Sequence, residues 1–319
     1  MAICNQPRLA PPFRESTVRA FMPLPLSSSC FISSLTALAL LGLPAFAAEI
    51  SGAGGQAGAL KPPERVAEPV YAKASDEPLK QAAKFVLAPG FAAEVWASEP
   101  MLGNPVSMSI DEQGRIFVAE TFRYRTSVLD IRHYMFMLED DLASRTTDDR
   151  IAYTKKNFPN DWQKLEIETE RVKLLEDTDG DGKADKASVY ADGMTTLLDG
   201  INSGVLALNG SVWCTNIPNL WRFSGLTKDG RAEKRESLSF GYGVRYSFTG
   251  HDMHGLAMGP DGRLYFSFGD RGAYVKTKEG GTLAFSDEGG VFRCEPDGSH
   301  RNTPPSSENA SIFPSFVFT

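Results

Sequence analysis

The chain has 319 residues, of which 42% are apolar and 23% charged, so it carries enough apolar side chains for one or two domains with a buried core. Its formal net charge is -7 at pH 7, and its charged residues form no long run of one sign. Nucleic-acid binding depends on clustered Lys and Arg. This composition therefore argues against a nucleic-acid partner.

The N-terminal segment has the composition of an export signal. Arginines precede the apolar run CFISSLTALALLGLPAFA, which ends in a small-residue Ala-Phe-Ala site at 45–47. A membrane anchor is the alternative, but the run is short for a spanning helix and is interrupted by Pro44. We predict a signal peptide over residues 1–47, a periplasmic or secreted location, and no membrane span after cleavage.

Cleavage of the signal would leave two cysteines, Cys214 and Cys294. Disulfides persist in exported proteins, so one bridge is permitted. Each cysteine also lies in an apolar, strand-like run, and two separate buried thiols fit the sequence equally well. The pattern Cys-x-x-Cys-His does not occur in the sequence, so we expect no c-type haem on this chain.

Three stretches share one template, in which an alternating apolar strand, a polar turn ending in Gly and a second alternating strand follow one another. They are SMSIDEQGRIFVAE (107–120), SGVLALNGSVWCTN (203–216) and HGLAMGPDGRLYFSFGD (254–270). Period-2 alternation around a turn glycine predicts a β-hairpin. The turn glycines recur at intervals that fit units of about 50 residues, which favours a β-propeller over a β-sandwich.

The stretch 123–171 departs from this template. Its apolar residues are unevenly spaced, and an acidic cluster (LEDD, 138–141) occurs early in it. This pattern predicts an irregular or helical insertion that lies over one face of the β domain.

The segment LLEDTDGDGKADKASVY has acidic residues at the spacing of a calcium-binding loop. Carboxylates so close together repel one another unless a cation or water screens them. Its twelfth position is Ser188, where a helix–loop–helix site has a bidentate Glu, and strand-like segments flank it. We predict a structural calcium turn between two strands, with a solvated acidic turn as the alternative. The predicted ligands are Asp177, Asp179, Asp181, Asp185 and the Lys183 carbonyl.

The third hairpin predicts an imidazole–carboxylate pair. If the chain turns at Asp261-Gly262, the segment from His251 to His254 lies beside Asp270. A carboxylate on one ring nitrogen fixes the tautomer of a histidine and stabilises its protonated form, as a general base requires. The alternative is a histidine stacked in the core and an aspartate that caps a turn.

The run from His251 through GLAMGPDGRLYFSFGDRG resembles the soluble quinoprotein glucose and sorbosone dehydrogenases, which are six-bladed propellers that use pyrroloquinoline quinone. The longer stretch from Phe91 to GGVFRCEPDGS is similar to membrane-bound dehydrogenases of Planctomycetes and Verrucomicrobia. The resemblance implies a sugar or alcohol substrate, with His251 as the base and Asp270 as its partner. His254 competes for the role of base, and with Arg271 it is a candidate cofactor contact. An electron-accepting cytochrome is the implied partner.

The predicted organisation is an all-β, incomplete propeller of the six-bladed type. Residues 48–82 are rich in Gly, Ala, Pro and Lys, which predicts a flexible linker. Residues 83–299 are predicted to form the partial propeller. The ending HRNTPPSSENASIFPSFVFT does not continue the strand pattern, so we expect an aberrant or disordered tail over 300–319 and a truncated chain.

Two other functions fit the same architecture. The hairpin register places Glu120, Asn202 and Asn216 on one rim, where they could hold a cation for a metal-dependent lactonase or hydrolase. A non-catalytic propeller fragment that binds a carbohydrate or a protein partner is the third hypothesis.

Overall fold

The computed structural model of the chain describes residues 68–285 and 289–299. The predicted signal peptide at 1–47 and the predicted tail at 300–319 lie outside these residues. Among the described residues, no helix combines the length and the apolar character that crossing a bilayer requires.

The described chain contains short helices and many short strands. The helices are α1 (Glu77–Ala82), α2 (Leu138–Ala143) and α3 (Thr147–Asn157), with 3-10 turns at Ile131–His133, Met135–Met137 and Trp162–Glu166. The strands are β1 (Pro105–Ile110), β2 (Ile116–Glu120), β3 (Glu170–Glu176), β4 (Lys186–Met194), β5 (Gly204–Leu208), β6 (Ser211–Asn216), β7 (Asn219–Ser224), β8 (Lys234–Phe240), β9 (Met253–Met258), β10 (Leu264–Phe268), β11 (Ala273–Lys276), β12 (Thr282–Phe285) and β13 (Gly290–Cys294).

The named strands pair antiparallel into four sheets. Two sheets have four strands each, in the orders β1-β2-β3-β4 and β5-β6-β7-β8. The third sheet has the order β13-β10-β9. Strands β11 and β12, which lie between β10 and β13 along the chain, pair with each other as a separate two-stranded sheet. The mainly antiparallel β class predicted from the sequence is confirmed.

Each predicted hairpin is present with its turn glycine. β1 and β2 pair with Ile110 opposite Ile116, and β9 and β10 pair with Met258 opposite Leu264. The turn glycine of the first of these hairpins, Gly114, has a φ of 79°, a left-handed conformation that other residues adopt only with strain.

The first strands of the three larger sheets lie next to one another. β5 contacts β1 on one side and β9 on the other. The backbone N–H groups of Val205 and Ala207 donate to the hydroxyls of Ser107 and Ser109, at 3.3 and 2.9 Å. Propeller blades are arranged around their axis in this way. The described residues form no closed ring, so the six-bladed count stays a prediction.

Two apolar clusters fill the spaces between consecutive sheets. The first joins the β1–β4 sheet to the β5–β8 sheet and includes Phe117, Val172, Leu174, Val205, Val212 and Phe223. The second joins the β5–β8 sheet to the third sheet and includes Trp213, Leu220, Met253, Leu264, Phe266 and Phe268. The first strand of the middle sheet, β5, is apolar throughout (GVLAL), as its burial between the neighbouring sheets requires, whereas its last strand, β8 (KRESLSF), is mostly exposed.

The insertion predicted for 123–171 contains α2, α3 and the 3-10 turns, and β3 begins at its end. The side chain of Thr146 accepts a hydrogen bond from Asp149 N, and Asp149 caps the Thr146 backbone in return, which fixes the start of α3. A third apolar cluster holds the insertion together and also includes Tyr246 from outside it.

Part of the segment predicted as a flexible linker packs on the β domain. The end of this segment forms α1, none of whose residues is buried, and the packing involves the residues before α1. Upstream of α1, the hydroxyl of Tyr71 donates to Glu120 at 2.8 Å, and the Lys173 ammonium lies 4.9 Å from the centre of the Tyr71 ring. The linker description therefore does not hold for the residues around Tyr71.

Cys214 and Cys294 are separate, buried thiols, so the second of the two alternatives is the one observed. Burial raises the pKa of Cys294 to about 12 and raises that of Cys214 as well. Neither thiol is therefore a reactive nucleophile at neutral pH.

Candidate active site

A histidine and an aspartate meet at the end of the third sheet. Nδ1 of His251 lies 2.8 Å from Oδ1 of Asp270. A carboxylate only accepts, so this contact places the ring hydrogen on Nδ1 and leaves Nε2 as the basic nitrogen. The contact predicted from the hairpin register is thus present in the structure.

A β-bulge adjusts the register of this pair. Leu264 and Tyr265 face Met258 and Ala257, as an Asp261-Gly262 turn requires. The pairing then shifts, and Phe268 faces Met253. The shift of one residue brings His251 opposite Asp270 rather than opposite the residue that follows it.

Both members of the pair are open to solvent. The side chain of His251 is 49% exposed and that of Asp270 is 37% exposed. An exposed contact between a polar side chain and a carboxylate stabilises a fold by only about 0 to 1 kcal/mol. A ligand can reach the imidazole, and fold stability alone gives little reason for the pairing.

Three side chains surround the pair. The hydroxyl of Ser247 donates to Asp270 Oδ1 at 2.9 Å, so this oxygen receives two hydrogen bonds. The Phe248 ring meets the His251 ring edge to face at 5.4 Å, and the guanidinium of Arg132 lies 5.0 Å from the centre of the Phe248 ring. Asp130 accepts from Arg132 through both carboxylate oxygens.

Arg271, the predicted cofactor contact, does not face this site. Its side chain is 1% exposed, and its Nη1 donates to the fully buried Asp252 at 2.6 Å. Its Nε donates to the Arg245 carbonyl at 3.2 Å. Asp270 and Arg271 lie in the turn between β10 and β11, where the Asp270 side chain faces solvent and the Arg271 side chain enters the interior.

His254 also stands apart from the pair. Its Nε2 lies 2.5 Å from the carbonyl oxygen of Gly250, so this nitrogen carries a hydrogen and donates. The residue is partly buried and pairs with Ser267 in the sheet. Within residues 68–285 and 289–299, no carboxylate contacts the His254 ring, and its Nε2 is already engaged by Gly250.

The rim residues proposed for a hydrolase metal site are fully buried and engaged with their own neighbours. Glu120 accepts from the Tyr71 hydroxyl and from Gly103 N, both at 2.8 Å, and burial raises its pKa. Asn202 donates to the Arg171 carbonyl at 2.9 Å, and Asn216 donates to the Gly200 carbonyl at 3.0 Å. These contacts give Glu120, Asn202 and Asn216 structural roles, and they do not present a cation site at the rim.

The acidic turn connects β3 and β4, as predicted. Oxygens of Asp177, Asp179 and Asp185 all lie within 4.8 Å of one another. Asp181 is not in this group: its Oδ1 accepts from the backbone N–H of Lys183 at 2.9 Å. Three of the four predicted carboxylates are therefore together.

Backbone groups orient the acidic turn. Gly180 N and Gly182 N donate to the two oxygens of Asp177, at 2.7 and 2.9 Å. Thr178 donates to Asp185 through its N–H and its hydroxyl, and this lowers the pKa of Asp185. Carboxylates fixed in this way form the type of oxygen cluster that calcium accepts.

The sequence of this chain matches one family model. Residues 77–313 match the family described as "Domain of unknown function (DUF7133)". The chain belongs to this family. No curated protein matches the chain.

Two solved structures show a distant similarity to the DUF7133 chain. The oxidoreductase (glucose dehydrogenase) from Thermus thermophilus has 12% sequence identity and a TM-score of 0.28, over 60% of this chain and 45% of that one. The PQQ-bound aldose sugar dehydrogenase from Streptomyces coelicolor has 15% identity and a TM-score of 0.26, over 59% and 43%. The chain thus covers less than half of either structure. Similarity at this level establishes neither its fold nor its activity.

The DUF7133 domain contains a buried carboxylate that sequence reasoning missed. Glu170 accepts from the backbone N–H groups of Arg123, Phe122 and Asn202, at 2.7, 2.8 and 2.7 Å. Burial raises its pKa to about 7. Glu170 begins β3, and a Glu at the start of an apolar strand is the signal that could have drawn attention to it.

Sequence reasoning also missed the residues that support the His251–Asp270 pair. These residues are Asp130, Asp141 and Ser247. Of the three, only Asp130 could be noticed from its sequence neighbours, because its side chain caps the 3-10 turn at Ile131–His133 by accepting from Arg132 N. The contacts of Asp141 with this region join residues more than 100 positions apart. No local pattern reports contacts of that range.

Proposed function

We propose that the DUF7133 domain oxidises a sugar or alcohol hydroxyl in an exported dehydrogenase, with His251 as the general base. The observation that supports this proposal is the contact of 2.8 Å between His251 Nδ1 and Asp270 Oδ1, in a pair that is open to solvent. Asp270 holds the ring with Nε2 free to accept a proton and stabilises the imidazolium that results.

The proposed reaction has a simple balance. The hydroxyl oxygen of the substrate loses its proton to Nε2 of His251, and the carbon that bears it loses a hydride, so that a carbonyl forms. The hydride requires a two-electron acceptor. The family resemblance names a quinone as the class of acceptor, with a cytochrome as the next carrier.

The side chains first assigned to the quinone do not fit that role. Arg271 is buried against Asp252, and the His254 ring is hydrogen-bonded to Gly250. The proton transfer is therefore the step that the residues of this chain account for. The quinone enters the proposal through the resemblance alone.

We propose further that the acidic turn binds calcium in a structural role. Three carboxylate oxygens within 4.8 Å of one another repel unless a cation screens them, and backbone donors already hold Asp177 and Asp185 in place. Calcium bound there would tie β3 to β4. The proposed ligands are Asp177, Asp179 and Asp185.

Dye reduction tests the proposed oxidation. The full chain is loaded with pyrroloquinoline quinone and calcium, and reduction of an electron-accepting dye is followed across a panel of sugars and alcohols. Dye reduction that depends on both a substrate and the quinone supports the proposal. Hydrolysis of lactones without the quinone, or saccharide binding without turnover, would replace it with the hydrolase or the binding-protein hypothesis.

His254→Ala separates the two candidate bases. His251→Ala and His254→Ala each remove one imidazole from the same segment. Comparing them therefore separates the loss of the base from the general effect of losing a histidine there. The proposal expects His251→Ala to abolish dye reduction and His254→Ala to retain it. The reverse result would assign the base to His254.

A further inference from the structure

We propose that the helical insertion positions the His251–Asp270 pair, through the carboxylates of Asp130 and Asp141. We call residues 246–251 the base loop, because they lead into His251. The inference concerns these positioning residues. The effect of this positioning on turnover rests on the proposed function. The positioning of the His251–Asp270 pair itself is independent of that function.

Asp141 in α2 holds the start of the base loop. Its Oδ1 accepts from Tyr246 N at 2.7 Å and from the Tyr153 hydroxyl at 2.6 Å, and its Oδ2 accepts from Ser247 N at 3.2 Å. The residue is 2% exposed. Hydrogen bonds from backbone N–H groups to a buried carboxylate are among the stronger ones in proteins, so α2 fixes this part of the base loop firmly.

Asp130 holds the middle of the base loop. Its Oδ2 accepts from the Thr249 backbone N–H at 3.3 Å and from the Thr249 hydroxyl at 3.0 Å. The next residue, Ile131, donates its N–H to the Ser247 carbonyl at 3.0 Å. The guanidinium of Arg132 holds the pKa of Asp130 well below its usual range, so Asp130 accepts these bonds as a carboxylate.

Ser247 transmits this anchoring to the pair. Its φ of 45° is in the left-handed region, a strained conformation for serine that persists only where the surrounding structure holds it. Its N–H is bound by Asp141 and its carbonyl by Ile131 N, and in this conformation its hydroxyl reaches Asp270 Oδ1. The same oxygen contacts His251.

Packing joins the base loop to the insertion as well. Tyr246 belongs to the apolar cluster of the insertion, where its ring meets that of Tyr153 edge to face at 6.0 Å. The Tyr246 hydroxyl accepts from Thr154 in α3 at 3.1 Å. The base loop and the insertion therefore form one packed unit, while Asp270 follows β10 of the third sheet.

Histidine NMR on the full chain tests this positioning. Asp141→Asn and Asp130→Asn each replace an acceptor oxygen with an amide that faces backbone donors. We expect both variants to lose the low-field Nδ1–H resonance of His251, and the imidazole to react several-fold faster with diethyl pyrocarbonate. Asp140→Asn is the matched control, because Asp140 is the neighbouring acid on α2 and pairs with Lys156 away from the base loop. It should leave the resonance unchanged.

Ser247→Gly keeps the proposal testable if the aspartate variants fail to fold. Glycine suits the left-handed φ and removes the hydroxymethyl group that contacts Asp270, so the variant should fold and still lose the ordered Nδ1–H resonance. The inference is overturned if His251 keeps its wild-type resonance in folded Asp141→Asn and Asp130→Asn, or in Ser247→Gly. A changed resonance in a chain that reduces no dye with any sugar would leave the positioning intact and remove the proposed oxidation.

Discussion

Gly269 lies directly against the backbone of His251. A Cβ built on Gly269 would come within 2.7 Å of the His251 carbonyl oxygen and 2.8 Å of its Cβ, distances that real side chains do not adopt. The close approach of these two residues is what brings His251 alongside Asp270, and it requires a residue without a side chain.

Gly269→Ala is therefore expected to disrupt the pair. The added methyl group meets backbone atoms, which cannot rotate away, so His251 must move and the fold should lose about 1 to 3 kcal/mol. Urea unfolding and the His251 NMR signal measure the two effects. Gly290→Ala is the matched control, because a Cβ there meets only Phe292 side-chain atoms at an ordinary 3.5 Å. Equal behaviour of the two variants would contradict the close packing described here.

Glu170 gives the fold a specific dependence on pH. Burial raises its pKa to about 7, whereas the unfolded chain has the ordinary value near 4.5. The folded state then binds more protons between these values, so this group's contribution to stability is complete below about pH 4.5 and is lost as the pH rises through about 7.

Glu170→Gln isolates that contribution. The difference in the free energy of unfolding between wild type and variant should favour wild type most at about pH 5 and decline by roughly 1 to 3 kcal/mol towards pH 8. Urea titrations at several pH values measure it. A difference that stays constant with pH would show that Glu170 is ionised throughout this range.

Calcium should raise the melting temperature of the chain through the acidic turn. A ligand that binds only the folded state stabilises it in proportion to the logarithm of its concentration above its dissociation constant. The shift should disappear in Asp177→Asn and persist in Asp229→Asn, which removes an exposed turn carboxylate between β7 and β8. If calcium still raises the melting temperature of Asp177→Asn, the ion binds at another site. If calcium does not raise the melting temperature of wild type, the acidic turn is solvated and binds no calcium.

Arg271 should act on stability rather than on a ligand. Removing one member of a buried ion pair leaves the other charge uncompensated, at a cost of about 3 to 5 kcal/mol, so Arg271→Met should destabilise the fold strongly. The double variant Arg271→Met with Asp252→Leu should recover part of the loss. Chemical denaturation of the single and double variants measures both effects. A stable Arg271→Met variant would show that the pair does not hold the fold.

The hairpins and the His251–Asp270 contact were predictable because both follow from local patterns. Alternating residues and a turn glycine determine which strand positions face each other, and the bulge between Tyr265 and Ser267 changes that register by only one residue. Arg271 lies in the turn after β10, outside the alternating strand, so the strand pattern does not report that its side chain enters the interior.

The supporting contacts were not predictable, because they depend on chain segments that are distant in sequence. Asp141 and Ser247 meet only when the insertion folds back over the sheets, and Tyr71 and Glu120 meet only when the N-terminal segment packs on β2. The buried positions of Asn202 and Asn216 have the same origin: the sequence places them at strand ends, where exposed and buried polar residues look alike.

The rate of quinone-dependent dye reduction in His251→Ala, measured beside wild type at saturating substrate, tests the central claim most directly. Proton transfer by a positioned base contributes about 100- to 10,000-fold to a rate, so the account predicts a loss of that size. His133→Ala, which removes another exposed histidine, should keep the wild-type rate. A His251→Ala chain that reduces dye as fast as wild type would contradict the assignment of His251 as the base.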